Sequence, residues 1–333
     1  MSSSRLNPIG SSGAPRGAVA EALFVLLATI LLLLAIVPAA ANERLSLYAY
    51  RDTRSLVVLV EEAAALLEQK GELAFKDFGQ KDSKWLNEDS YFFVYALDGT
   101  CLFHPITPEL IGQNVMALRD INGKPIIRLI TDVGRKPEKN AHGWVFYLWQ
   151  NQTQLTPSWK STYVRKVAAP NGQTYVIGSG SFTIKVEKLF VEERVRTAAD
   201  LLKSAGRDAA FKQFQDPGTP FVFLDSFIFV LDERGRTLVD PAFPTRTGRD
   251  LSEFKDAVGF YPIKEVLKKL AQADEAWVQY LWPKPGSSVT SRKLIYTRKI
   301  SVGGETMIVG SDFFLATPIW MKVENAWPRN PPG

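Results

Sequence analysis

Residues 71–182 return, loosely but in order, at residues 206–314. Ala74-Phe75-Lys76-Asp77-Phe78 comes back 136 residues later as Ala210-Phe211-Lys212-Gln213-Phe214. At the same displacement Tyr91-Phe92-Phe93-Val94 becomes Phe227-Ile228-Phe229-Val230, His104-Pro105 becomes Asp240-Pro241, Gly112 becomes Gly248 and Asp120 becomes Asp256. The spacing then falls to 133 for Trp144-x-x-Tyr147-x-Trp149 against Trp277-x-x-Tyr280-x-Trp282, and for Lys160-x-x-Tyr163-x-Arg165 against Lys293-x-x-Tyr296-x-Arg298. It ends at 132 where Val176-Ile177-Gly178-Ser179 meets Ile308-Val309-Gly310-Ser311. Solenoid repeats run to roughly 20–50 residues, so a period this long excludes them. Each copy has the size of a small globular domain instead. The chain is therefore expected to fold as two such modules in tandem.

Charge excludes one class of partner. The 40 basic and 35 acidic residues are interspersed, with no basic stripe of the kind that nucleic acid requires, so no nucleic-acid partner is expected. Residues 22–37 form the one long apolar run, after Arg5 and Arg16 and before Pro38-Ala39-Ala40-Ala41. Basic flank, apolar stretch and small residues describe a secretory signal over residues 1–41, cleaved after Ala41. Retained, the same run would be a membrane anchor with Arg5 and Arg16 in the cytoplasm. Both readings place the rest outside the cytoplasm, periplasmic or secreted in the first case and tethered to the inner membrane in the second. The single cysteine, Cys101, cannot make an intramolecular bridge and reads as a small buried apolar residue. With two histidines, His104 and His142, no transition-metal spacing arises, and neither a metal nor a cofactor is expected.

Within one copy, Leu56, Leu59, Val60, Ala63, Leu66 and Leu67 recur at helical steps, predicting a long amphipathic helix from near Glu43 to Gly71. Its counterpart spans residues 188–205, and a short Ala-Phe-Lys-x-Phe helix follows each. Strands are expected at 91–97 and 101–104, joined at Asp98-Gly99. An excursion over 105–142 carries a helix after Pro125, and three further strands lie at 143–149, 162–168 and 173–178. Five antiparallel strands with segregated helices make an α+β module. Module boundaries are set at 43–187 and 188–320, with a Pro-rich tail at 321–333.

The leading helix, the Tyr-Phe-Phe-Val-Tyr-Ala-Leu-Asp-Gly strand pair, His-Pro…Ile-Gly-Gln-Asn, Lys-x-x-Tyr-x-Arg-Lys and Ile-Gly-Ser-Gly together resemble extracytoplasmic Cache sensor modules. The resemblance covers nearly all of residues 44–185 and, less tightly, 188–316. It implies PAS-like five-stranded sheets and the binding of a small molecule of the carboxylate or amino-acid class. Receptors of that family carry a second membrane span and an output domain. This chain ends instead at a short Pro-rich tail, so its signal is expected to pass to a membrane receptor or kinase.

Strand parity selects the ligand-site candidates. Arg165 offers a fork suited to a carboxylate. Tyr147 and Tyr163 offer hydroxyls, Lys160 stands at a strand entrance, His104 ends the second strand and Arg128 lies on the roofing helix. Trp144 is a further candidate, although a large aromatic of this kind more often serves as core. The second-module counterparts are Trp277, Tyr280, Lys293, Tyr296 and Arg298. No Gly-x-Ser-x-Gly elbow, His-Glu-x-x-His helix or phosphate loop is present, so no enzyme activity is expected. Two functions follow. One is sensing of a small organic acid or amino acid. The other is a membrane-tethered, protein-interacting subunit with vestigial pockets, whose long helices meet a partner or a second copy in a homodimer.

Overall fold

The computed structural model describes residues 44–87, 90–151, 154–224, 226–283 and 290–315. The expected signal or anchor segment and the Pro-rich tail lie outside the described residues. Among the described residues, no helix is long and apolar enough to cross a membrane.

The first copy contains α1 (Arg51–Lys70), α2 (Ala74–Phe78), α3 (Ile126–Arg135) and strands β1 (Phe92–Ala96), β2 (Cys101–Phe103), β3 (His142–Trp149), β4 (Ser158–Ala168) and β5 (Thr174–Ser181). The second contains α4 (Lys188–Ala205), α5 (Arg207–Gln215), α6 (Pro262–Leu270) and strands β6 (Ile228–Asp232), β7 (Thr237–Val239), β8 (Glu275–Pro283), β9 (Thr290–Val302) and β10 (Glu305–Phe314). All neighbouring strands are antiparallel, in the order β2-β1-β5-β4-β3 and again β7-β6-β10-β9-β8. The α+β reading holds, with two five-stranded sheets.

Each sheet is covered on both faces. Leu56, Val57, Val60, Ala63, Ala64 and Leu67 of α1 are buried, so the stripe that meets the sheet is rotated slightly from the expected one. On the other face Ile126, Ile127, Ile130 and Val133 of α3 pack with Phe93, Tyr95, Val145, Tyr147 and Val164. The excursion is tied down by Asp120, which explains why that residue recurs without slip. Its Oδ1 accepts the backbone N–H groups of Asn122 and Lys124 at 2.9 Å, and Oδ2 accepts that of Leu148 on β3 at 3.0 Å. Asp256 repeats the device with Val258, Phe260 and Leu281, each at 2.9 Å. Gly178 and Gly310 recur for a different reason, since an added Cβ would fall within 2.8 Å of the rings of Phe93 and Phe229.

The long helix starts at Arg51 rather than near Glu43. Glu187, 1 % exposed, accepts the backbone N–H groups of Ala49 at 2.8 Å and Tyr50 at 3.0 Å. Its charge meets the positive end of the helix dipole there, and Tyr50 is held extended at φ −94°, ψ 141°. Glu187 immediately precedes α4, so the two helix starts are clamped together. Further along α4, Phe190 packs against Trp144 and Phe146 of β3, with ring centroids 4.8 and 5.1 Å away. Phe146 also meets Phe223 at 5.4 Å, and Lys124 donates to the Val222 carbonyl at 2.6 Å. The two modules thus share an aromatic seam.

The helix side of the first sheet carries an ion pair. Glu61 of α1 accepts from the Tyr163 hydroxyl at 3.0 Å and from Arg165 Nε at 3.1 Å. Glu68, two turns on, lies 3.6 Å from the same guanidinium. Arg165 is 5 % exposed. Replacing Glu61 by Leu leaves that guanidinium and hydroxyl short of acceptors, an expected loss of about 1–3 kcal/mol in urea denaturation. Phe190→Ala opens a cavity in the seam and is expected to cost about 3–5 kcal/mol by the same measurement.

Candidate functional site

Because side chains alternate along a strand, β4 sends Lys160, Thr162 and Val164 to the excursion face and Tyr163 and Arg165 to the helix face. Trp144 follows the helix-face set, its ring 5.3 Å from Tyr163 and 4.8 Å from Phe190. Arg165 and Tyr163 therefore do not front the same space as Tyr147, although all three are sequence candidates for one site, and Trp144 lies on the face opposite Tyr147. Their partners are Glu61, Glu68 and the second module's helix. Arg128 is exposed on α3 and takes no part in the cluster. Lys160 is the third residue of β4 rather than its entrance, because the strand begins at Ser158.

The structure brings Lys160, His104 and Tyr147 together, and adds Tyr91. Lys160 is 1 % exposed, and its ammonium has no hydrogen-bond partner. It lies 3.9 Å from the centroid of the Tyr91 ring and 5.7 Å from that of Phe182. Such cation–π contacts partly offset desolvation but supply no acceptor. Among the described residues no carboxylate pairs with it. Burial pulls the Lys160 ammonium down to about 7.

His104 is 2 % exposed, and its ring stands 5.2 Å from that of Tyr91. Its Nδ1 accepts the Thr107 backbone N–H at 3.0 Å, which leaves the proton on Nε2. Burial first, and the Lys160 charge second, hold the imidazole at about 4, neutral at physiological pH. The Tyr147 hydroxyl accepts from Thr162 Oγ1 at 3.0 Å, and burial pushes its ionisation up. Tyr91 is pushed up to about 12, again chiefly by burial. Tyr91, Tyr147 and His104 are thus neutral at pH 7, and none of them supplies a counter-charge to the ammonium.

Next to this cluster lies a cleft of about 950 Å³, walled by Tyr91, Trp149, Trp159, Gly180 and Phe182 with Thr107 and Ser158. Tyr91 and Phe182, the two rings against Lys160, both face it. Gly180 sits hard against the lysine stem, since an added Cβ would stand 2.8 Å from Lys160 Cε and 2.9 Å from the Ser161 carbonyl. Trp159 connects the cleft to the seam between modules, because its ring holds the Lys124 ammonium at 4.9 Å while that lysine donates to Val222. Neither Tyr91 nor Gly180 stood out in the sequence. Gly180 could have been found as the first position at which the repeat breaks after its shared Gly-Ser.

The second module has the same partition with different occupants. The rings of Trp277 and Tyr296 meet at a tilt, 5.0 Å apart, on the helix face, where Trp277 donates to Glu192 of α4 at 3.0 Å and Arg298 meets Glu275 at 3.2 Å. Tyr280 and Lys293 face the excursion, in a small cavity of about 50 Å³ shared with Asp240, Arg246 and Asp312.

Comparison with known protein families recovers the same two copies. The family model described as single Cache domain 2 matches residues 69–196 and again 193–313. The methyl-accepting chemotaxis protein McpP of Pseudomonas putida is 31% identical over 91 residues, which cover 27% of this chain and 16% of McpP. The chain thus spans well under two thirds of that relative's length. A solved Cache chemosensory domain, studied for its recognition of carboxylic acids, is 26% identical with a TM-score of 0.33. That match covers 38% of this chain and 91% of the other. A methyl-accepting chemotaxis protein from Vibrio parahaemolyticus is 19% identical, with a TM-score of 0.32 over 43% of this chain and 94% of the other. Since one family model accounts for both copies and for well over half of the residues, the chain belongs to the single Cache domain 2 family of sensory, ligand-binding modules, here present twice.

Proposed function

We propose that the first module senses a small carboxylate on the extracytoplasmic side of the membrane, with Lys160 as its anchor. The observation that carries this reading is the orphaned ammonium. A fully buried cation without a counter-charge costs several kcal/mol, and a fold retains such a group where a partner arrives from outside. The cleft beside it is walled by Tyr91 and Phe182, and Phe182 is only half-buried, so turning that ring aside opens a route to Nζ. Tyr91, Tyr147 and the Nε2–H of neutral His104 are donors grouped around the same point. A carboxylate has acceptor capacity for several of them at once, whereas an amine ligand would meet only like charge. The apolar run at residues 22–37 supports export.

Thermal-shift titration against acetate, propionate, lactate and pyruvate tests the reading. A bound acid at 100 times its dissociation constant adds about 2.7 kcal/mol to stability, and the reading fails if all four leave folded, ligand-free protein unshifted. Lys160→Met is expected to remove the response. It should also raise the melting temperature of the free protein, because it deletes an unpaired buried charge.

Proton linkage gives a second check. The free ammonium titrates near 7, below its unfolded value, so the unfolded chain binds more protons between pH 7 and the ordinary lysine range. Stability of the free protein from this group therefore rises with pH through that window. Acid binding requires the charged form and draws the pKa upward. Affinity should be flat below pH 7 and fall about tenfold per pH unit above it, with proton uptake measurable by calorimetry in buffers of different ionisation enthalpy.

A further inference from the structure

Lys160 and Lys293 are the same position in the two modules, and so are Gly180 and Asp312. The sheets agree on this. Gly180 pairs with Thr162 across β5 and β4, while Asp312 pairs with Ile295 across β10 and β9, and in each case the lysine is two residues before the strand partner. Phe314 lies 5.0 Å from Lys293 Nζ, as Phe182 lies near Lys160. Some neighbours differ, Tyr91 becoming Phe227 and His104 becoming Asp240, but the exchange of Gly180 for Asp312 is the one that puts a carboxylate against the lysine itself. Asp312 Oδ2 is 2.8 Å from Lys293 Nζ, in a contact where the lysine side chain is 7 % exposed. The remaining charges of the second cavity, Arg246 and Asp240, also face each other, at 4.0 Å.

We propose that Asp312 is a tethered occupant of the second module's carboxylate site, and so the residue that restricts acid binding to the first module. The inference rests on the reading of Lys160 as an acid anchor, because it takes the place beside that lysine as the acid's place. The side chain of aspartate beyond its Cα is a methylene carboxylate, the same heavy atoms as acetate. Where the first module has the bare Cα of Gly180 on the wall of an open cleft, the second has this carboxylate beside Lys293 in a small cavity. A free acid entering the second cavity would meet two carboxylates and no unpaired cation. The second module is thus held by its own chain in the arrangement that the first reaches only with ligand.

The test is calorimetric titration of acetate into the full chain, in a Lys160→Met background with and without Asp312→Gly. The proposal expects Asp312→Gly to add one equivalent of bound acetate and to lower the melting temperature in acetate-free buffer. Excess acetate should restore that temperature and equimolar chloride should not. If Asp312→Gly adds no acetate site, the proposal is overturned, whatever the first module does. It is overturned equally if the protein with Asp312 intact already binds acetate at Lys293. Should Lys160→Met leave acetate binding unchanged while Asp312→Gly still adds a site that Lys293→Met removes, the Lys160 reading falls, and Asp312 as occupant of the Lys293 site stands on that added site alone. If Asp312→Gly does not fold, Asp312→Ala is read in the same way. Recovery of folding in acetate counts for the proposal, and failure to fold with acetate present counts against it.

Discussion

A lysine ammonium buried in the middle of a β-sheet face has to be answered by an opposite charge or lose its proton. That constraint organises this molecule. In the second module the answer is inside the chain, where Asp312 closes on Lys293 at 2.8 Å. In the first, Lys160 faces aromatic rings and neutral donors and its ionisation is pulled down to about 7; on the proposed reading a bound acid supplies the missing charge. The duplicated architecture keeps the lysine in place in both copies. Both sheet faces are covered, α1 or α4 on one and the excursion on the other, so the strand carrying the lysine cannot turn it out to water.

The same architecture links the cleft to the second module. Trp159 is at once a wall of the cleft and the seat of the Lys124 ammonium, whose hydrogen bond ends on Val222 of the second module. Phe190 and Glu187 fix the remainder of the junction, the first by filling the seam against Trp144 and Phe146, the second by capping α1 from the start of α4. The cleft wall and the junction between the modules thus share one side chain.

Much of this was legible in the residues. The order and spacing of two copies announced two modules, and Asp120, Asp256, Gly178 and Gly310 recur without slip because each has a geometric duty that both sheets need. Lys160, Tyr147 and His104 were selected and do converge. What misled was the face. β4 is buried on both sides from Lys160 to Arg165, so its sequence lacks the apolar–polar alternation that would tell helix side from cleft side. Arg165, as the best carboxylate fork, was assigned to the ligand. Glu61 and Glu68 on α1, seven residues apart and so on one side of the helix, were the available signal that this guanidinium was already spoken for. The starting point of α1 was hidden for a related reason: its cap, Glu187, comes from the far end of the module.

The ionisation of Lys160 is the most direct test of the account. Carbon-13 NMR of lysine ε-carbons, assigned by comparison with Lys160→Met, follows that ammonium through a pH titration in free protein and in protein saturated with propionate. The account predicts a midpoint near 7 in the free form that moves to alkaline pH when the acid is bound. A midpoint in the ordinary lysine range, unmoved by propionate, would show a solvated side chain with no ligand to wait for, and would contradict it.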